Sequence, residues 1–136
     1  LHFPHRIERS VERLQRVGAR MVAGSSEMFI GDAKTGSVVK VGPYNKNHAT
    51  AGTLAFRKEY LRHSFFRPSD KSGEEMHFLK NWTIPVVQLQ AGDTIVALSH
   101  KENTISKEKF FKDPENLENI IDIFPNKEIL ELLRDN

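Results

Sequence analysis

Two carboxylates, Glu74 and Glu75, stand side by side behind Gly73 in the stretch SGEEMHFL (72–79). A carboxylate at the mouth of an amphipathic helix can take a proton from a hydroxyl nucleophile as a general base. It can also simply occupy a first helical turn, where the macrodipole favours negative charge. Two other stretches bear on the choice. A loop of small residues, HATAGTLAFRKEY (48–60), precedes the pair, and a strand-like run ending in LSHKENT (98–104) follows it and places His100 at a strand terminus. Each piece alone has an ordinary structural explanation: a turn, a hydrated helix start, a satisfied histidine. It is their order and spacing together that suggest chemistry.

Other constellations do not survive inspection. His2 and His5 could share a helix face, but no second ligand pair of matching spacing follows. Glu74 and His77 form a single Glu-x-x-His, whereas a carboxylate-bridged di-iron centre needs two such motifs plus further glutamates. There is no His-Glu-x-x-His zincin motif. Ser25 and Ser26 follow Gly24, but AGSSE is not the elbow of a serine hydrolase. Walker A and dinucleotide-binding glycine patterns are absent, as are aromatic RNA-binding signatures and zinc-finger spacing.

The bulk properties set bounds. The chain has 136 residues, 38% of them hydrophobic, which suits one domain with one core. Its net charge is +2 and its pI about 8.9, too mild a bias to argue for a nucleic-acid partner. It has no cysteine, which excludes disulfides and thiolate metal sites and leaves the compartment open. No apolar run approaches the roughly 20 residues of a membrane span. The chain does not start with Met, so we read it as the processed or visible part of a longer one.

The elements that must position these residues follow from pattern. Residues 4–17 are expected to form a helix with Ile7, Val11, Leu14 and Val17 as its buried stripe and Arg6, Arg9, Arg13 and Arg16 on the solvated face. Short strands are expected at 21–24, 27–33 and 36–42, the last two joined by a hairpin turn at Lys34–Gly36. Residues 53–56 read as extended and 57–63 as a short helix. SGEEMHFL is expected to continue helically through Trp82, and strands at 84–90 and 93–100 flank a turn at Gly92. Two helical patterns close the chain. The first carries Leu117, Ile120, Ile121 and Phe124, and the second carries Ile129, Leu130, Leu132 and Leu133. The expectation is an α/β architecture, one mixed sheet with helices packed on it.

Taken together, HFPHRIERSVERL, MVAGSSEMFIGD, VGPYNKNHATAGTLAFRKEYL, GEEMHFL and PVVQLQAGDTIVALSHKENT resemble the C-terminal half of a GT-A-fold, family-2-like glycosyltransferase, most of all the versions encoded by large DNA viruses. The resemblance covers residues 2–104. It implies an acceptor-side half-domain over residues 1–112 and a helical tail over 113–136 that serves packing or interaction. It implies inverting transfer of a sugar from a nucleotide-sugar donor to a hydroxyl on a carbohydrate or protein acceptor. In that family the loop at Ala51, Gly52 and Thr53 lies under the donor sugar; Arg57 or Lys58, just after it, could meet phosphate charge or simply form solvated surface. The acidic motif matches Glu74 and Glu75, with Glu75 as base and Glu74 facing the acceptor. A late histidine, placed like His100, completes the shell of a Mn²⁺ or Mg²⁺ ion.

The sequence also departs from the family. The base position holds Glu rather than Asp. The metal-binding Asp-x-Asp occurs nowhere in the chain and in relatives would stand just before residues matching LHFPHR. The expected chain is therefore the part of an enzyme that follows its nucleotide-binding half. The alternative is a glycosyltransferase-like half-domain reused as a non-catalytic structural or interaction module, for example a virion component, with a protein partner covering an exposed sheet edge. A viral origin would place it in the host cytoplasm or the virion.

Overall fold

The computed structural model describes residues 1–32, 34–69, 73–99, 108–112 and 118–123. In chain order they form α1 (Arg6–Gln15), β1 (Val22–Gly24), β2 (Met28–Asp32), β3 (Ser37–Val41), β4 (Ala55–Phe56), α2 (Glu74–Phe78), β5 (Val86–Gln88), β6 (Val96–Ser99), β7 (Glu118–Asn119) and α3 (Ile120–Ile123). Tight 3₁₀ turns occupy Ala51–Thr53, Lys58–Arg62, Ala91–Asp93 and Glu108–Phe111.

The class is α/β, but the strands form two small mixed sheets rather than the single sheet expected from the pattern. Their orders are β4-β1-β5 and β6-β2-β3-β7. The hairpin is present: β2 and β3 pair antiparallel, with Met28 opposite Val41, and Gly36 takes the left-handed φ of 71° the turn needs. Asp32 closes that turn by accepting from the Lys34 amide at 3.0 Å and the Thr35 hydroxyl at 3.0 Å. The strands on either side of Gly92 do not pair with each other. Instead β5 runs parallel to β1 and β6 parallel to β2, so the turn at Ala91–Asp93 carries the chain from one sheet to the other.

Each sheet has its own core. In β1, Val22 packs with Ala49, Tyr60, Phe78, Leu79 and Val86, while Ala23 packs on the other side with Leu14 and Leu89. Successive side chains of a strand face opposite ways, so β1 is covered by α1 on one face and by α2 with Tyr60 on the other. The second sheet buries Val38 and Val96 with Leu1, Phe3, Phe29 and Ile123, and Ile30, Val39 and Val41 with Phe110 and Phe111.

Two helices differ from expectation. α1 is shorter than 4–17 and is rotated: Ser10 and Leu14 are buried, whereas Ile7 is 71% and Val11 46% exposed. The small side chain of Ser10 lets the helix lie close on the sheet, and that places Ile7 and Val11 on the flank. α2 stops at Phe78 instead of reaching Trp82, because Lys80, Asn81 and Trp82 all adopt positive φ, 49°, 54° and 63°. Of the tail, β7 pairs with β3 and α3 follows it, while the pattern around Ile129–Leu133 lies outside the described residues.

Candidate functional site

The small-residue loop is held at the carboxyl ends of two parallel strands. β1 ends at Gly24 and β5 at Gln88, paired with each other. Just beyond β1, the Ser25 amide donates to Thr53 Oγ1 at 2.9 Å, and the Thr53 hydroxyl donates to the Thr50 carbonyl at 2.8 Å. The Thr50 amide returns a bond to the Ser25 carbonyl at 2.9 Å, and the Ser25 hydroxyl donates to the Leu89 carbonyl at 2.8 Å. Gln88 works in both directions. Its Oε1 accepts from the Ser26 amide at 2.9 Å, and its Nε2 donates to the His48 carbonyl at 2.9 Å and the Lys46 carbonyl at 3.0 Å. Gly24 permits this closeness, since a Cβ there would stand 2.6 Å from that of Ala49. In open α/β sheets, the crevice beyond the carboxyl ends of parallel strands is where ligands bind.

Ala51, Gly52 and Thr53 form one turn, with Thr53 buried and Gly52 exposed. The Gly52 carbonyl accepts from Arg6 Nη2 at 2.7 Å. Arg6 Nη1 also donates to His2 Nδ1. A guanidinium has no acceptor, so His2 must accept at Nδ1 and carry any proton on Nε2. Burial, then the Arg6 charge and the terminal ammonium, hold the His2 pKa below its ordinary value, in keeping with that neutral form. The start of the chain is anchored beside β6: the Leu1 ammonium donates to the Val96 carbonyl at 2.8 Å, and the Phe3 amide to the Thr94 carbonyl at 3.1 Å. Ile95 reaches the same turn, its Cδ1 2.9 Å from where a Gly52 Cβ would lie. The turn thus meets the chain start, α1 and the beginning of β6.

The acidic pair sits on a helix too short to hold itself, since a single turn of helix is unfavourable in isolation. Gly73 enters it with a φ of 69°, and Tyr60 and Ser64 secure its end, each hydroxyl donating to the Phe78 carbonyl at 2.7 Å. Phe78 and Leu79 are fully buried in the cluster that includes Ala49, so the helix end and the beginning of the loop share one core. The Glu75 carboxyl is half-buried. Burial raises its pKa above the ordinary Glu value, and the Glu74 charge adds to the rise, against the opposing hydrogen bond from its own amide.

The other expected site residues are placed as follows. Arg57 Nη2 donates to the Leu14 carbonyl at 2.6 Å, closing the C-terminal end of α1. His100 lies outside the described residues. β6, which leads to it, ends with Ser99 opposite Asp32, roughly 10 Å of strand beyond the end nearest Gly52. Among the described residues no group of three or more His, Asp or Glu side chains is placed to hold a metal ion. The catalytic reading below rests on the carboxylate.

Sequence reasoning missed Arg6, Tyr60, Ser64 and Gln88 as the groups that fix the loop and the helix. Their partners are backbone carbonyls and amides distant in the chain, which leave no local pattern. It also missed an aromatic stack. The His48 ring lies 4.8 Å from Tyr44 and 4.7 Å from Trp82, centroid to centroid, and Asn47 Nδ2 donates to the Trp82 carbonyl at 2.9 Å. The clustering of Tyr, Asn and His in YNKNH was the available hint. No protein-family model, no curated protein and no solved structure matched the chain.

Proposed function

We propose that this chain forms the acceptor side of a GT-A-fold, family-2-like glycosyltransferase that moves a sugar from a nucleotide-sugar donor to an acceptor hydroxyl with inversion. One observation carries the proposal: Thr53 of the small-residue turn is bonded to Ser25 at the carboxyl end of β1, the loop leading into it is bonded to Gln88 of β5 at the His48 carbonyl, and Ala49 of that loop shares a core with the end of the helix bearing the half-buried Glu75. An acceptor hydroxyl is a weak nucleophile near neutral pH. A carboxylate whose pKa is raised by burial is a better proton acceptor than an ordinary glutamate, which suits a general base. Attack on the face opposite the leaving nucleoside diphosphate inverts the anomeric carbon, and a single base is enough for that step. Burial is the main cause of that rise, and the charge of Glu74, beside the base, adds to it. Exposed Gly52 offers backbone without a side chain to a sugar lying over the turn.

The experiment is a thermal-shift titration of the chain with a panel of nucleotide sugars and Mn²⁺. At least one donor is expected to stabilise the wild type. Gly52→Val, which pushes on Ile95 and fills the space over the turn, is expected to remove that shift and leave the unliganded melt within a few degrees of wild type. If no donor shifts the melt of the wild type, the donor-binding part of the proposal is lost.

A further inference from the structure

The loop that leads into the Ala51–Thr53 turn is built around a histidine with an unmet polar atom. Among the described residues, the buried side-chain polar atoms without a hydrogen-bond partner are His48 Nδ1 and Thr50 Oγ1, both on this loop. The His48 ring is held between Tyr44 and Trp82, and the backbone around it is tied down. The carbonyls of Lys46 and His48 accept from Gln88 Nε2, and Asn47 Nδ2 donates to the Trp82 carbonyl. Trp82 ends a run of three non-glycine residues with left-handed φ, a conformation that persists only where the surroundings enforce it. The Asn47 bond and the ring contact supply that constraint.

A neutral imidazole suits this setting, because an unprotonated Nδ1 has no proton to place. The imidazolium does not: both its nitrogens are donors, and the Nδ1 proton would be buried with its charge and no acceptor. The neighbours offer no opposite charge. The ionisable side chains on the segments packed against the ring are Tyr44 and Lys46 on its own loop and Lys80 beside Trp82, and β5 contributes the neutral Gln88. Glu74 and Glu75 stand at the start of α2, the far end of that helix from Trp82, and among the described residues no acid forms an ion pair with His48. Burial accordingly holds the His48 pKa below its ordinary value. Attraction of a cation to the two ring faces works in the opposite direction.

We propose that His48 is the catch of an acid-operated switch: on taking up a proton, its ring leaves the Tyr44–Trp82 stack and frees the loop over residues 43–50. The order that the neutral ring confers is complete above the ordinary histidine value and is lost as pH falls through the lower folded value. The switch stands whether or not the chain transfers a sugar.

Trp82 is the single tryptophan of the chain, so its emission reports on this stack. Emission, histidine-ring NMR shifts and amide exchange of the full chain are followed from about pH 8 to about pH 4, beside His48→Phe, which keeps an aromatic ring and cannot titrate. The His48 midpoint is expected below that of the same residue in the urea-unfolded chain. At that midpoint Trp82 emission should step, and the amides of His48 and Thr50, bonded to the Asn45 and Ser25 carbonyls, should lose protection relative to His48→Phe at the same pH. Both steps should be absent from His48→Phe. If that variant does not fold, the amides of the β2–β3 hairpin in wild type serve as the exchange reference. A His48 midpoint at or above the unfolded value would overturn the proposal. So would a depressed midpoint crossed with no loss of protection at Thr50.

Discussion

The two sheets solve the problem of burial differently. Around β4-β1-β5 the interior is partly polar: Ser25, Thr53 and Ser64 are buried, the Tyr60 ring is fully covered, and every one of these hydroxyls has a partner. Around β6-β2-β3-β7 the two clusters bury Val38, Val96, Ile30, Val39 and Val41, and the one buried hydroxyl leading into β6 among the described residues is that of Thr94, which donates to the Ala91 carbonyl at 2.9 Å. An apolar core tolerates small slips, because dispersion and hydrophobic burial are not directional. A satisfied buried polar network does not, since each broken bond strands a group away from water. The side built with directional bonds is the one that carries the small-residue turn and the acidic helix. The difference indicates where geometry matters for what the protein does, and where only stability is at stake.

The largest test of that contrast is Phe78→Ala. Phe78 is fully buried between Phe56, Tyr60 and Phe66, and its loss should cost about 3–5 kcal/mol. Because its ring joins α2 to Phe56 of β4 and to Tyr60, amide hydrogen exchange should accelerate across the first sheet and α2 before the β2–β3 hairpin. Uniform acceleration would show that the sheets unfold as one unit. A mirrored pair of isosteric changes is smaller. Thr53→Val strands the Ser25 amide, and Val38→Thr buries a hydroxyl where Val38 is now fully covered, so each should cost about 1–3 kcal/mol in denaturant unfolding. If Thr53→Val were neutral, the polar network would not be fixing the turn. The smallest effect concerns pH. The Glu75 base exists only above its raised pKa, so the acid limb of a transfer-rate profile should lie above the ordinary Glu range. Glu74→Gln removes the neighbouring like charge and should move that limb to lower pH. An unmoved limb would separate Glu74 from the base.

How much of this could be read from the chain depends on the range of the interactions involved. The β2–β3 hairpin was legible because its turn residues, Lys34 to Gly36, are contiguous and carry their own chemistry. The existence of α1 was legible from periodicity, and Leu14 of the expected stripe is buried, but the facing was legible only in part, since the apolar pattern favours Ile7 and Val11 while the fold buries Ser10. The end of α2 was hidden because three ordinary side chains, Lys80 to Trp82, take a left-handed path that no glycine announces. The division into two sheets was hidden because β5 and β6 choose partners more than sixty residues away, Val86 with Val22 and Val96 with Phe29. At the candidate site, the turn and the acidic pair were visible as residue types. Their supports, Arg6 on the Gly52 carbonyl and Tyr60 with Ser64 on the Phe78 carbonyl, exist only once the chain has folded.

The most direct measurement is glycosyl transfer by Glu75→Gln, made alongside its donor binding and its melt. Folding raises the Glu75 pKa, so the associated stability is complete at low pH and is lost as pH rises through the folded value. The neutral glutamine retains it, and the variant should melt no lower than wild type at neutral pH. The account predicts that transfer falls by a factor of about 10²–10⁴, as expected for loss of a general base, while donor-induced stabilisation persists. Wild-type transfer rates from Glu75→Gln would contradict it and return the pair at the start of α2 to hydrated surface.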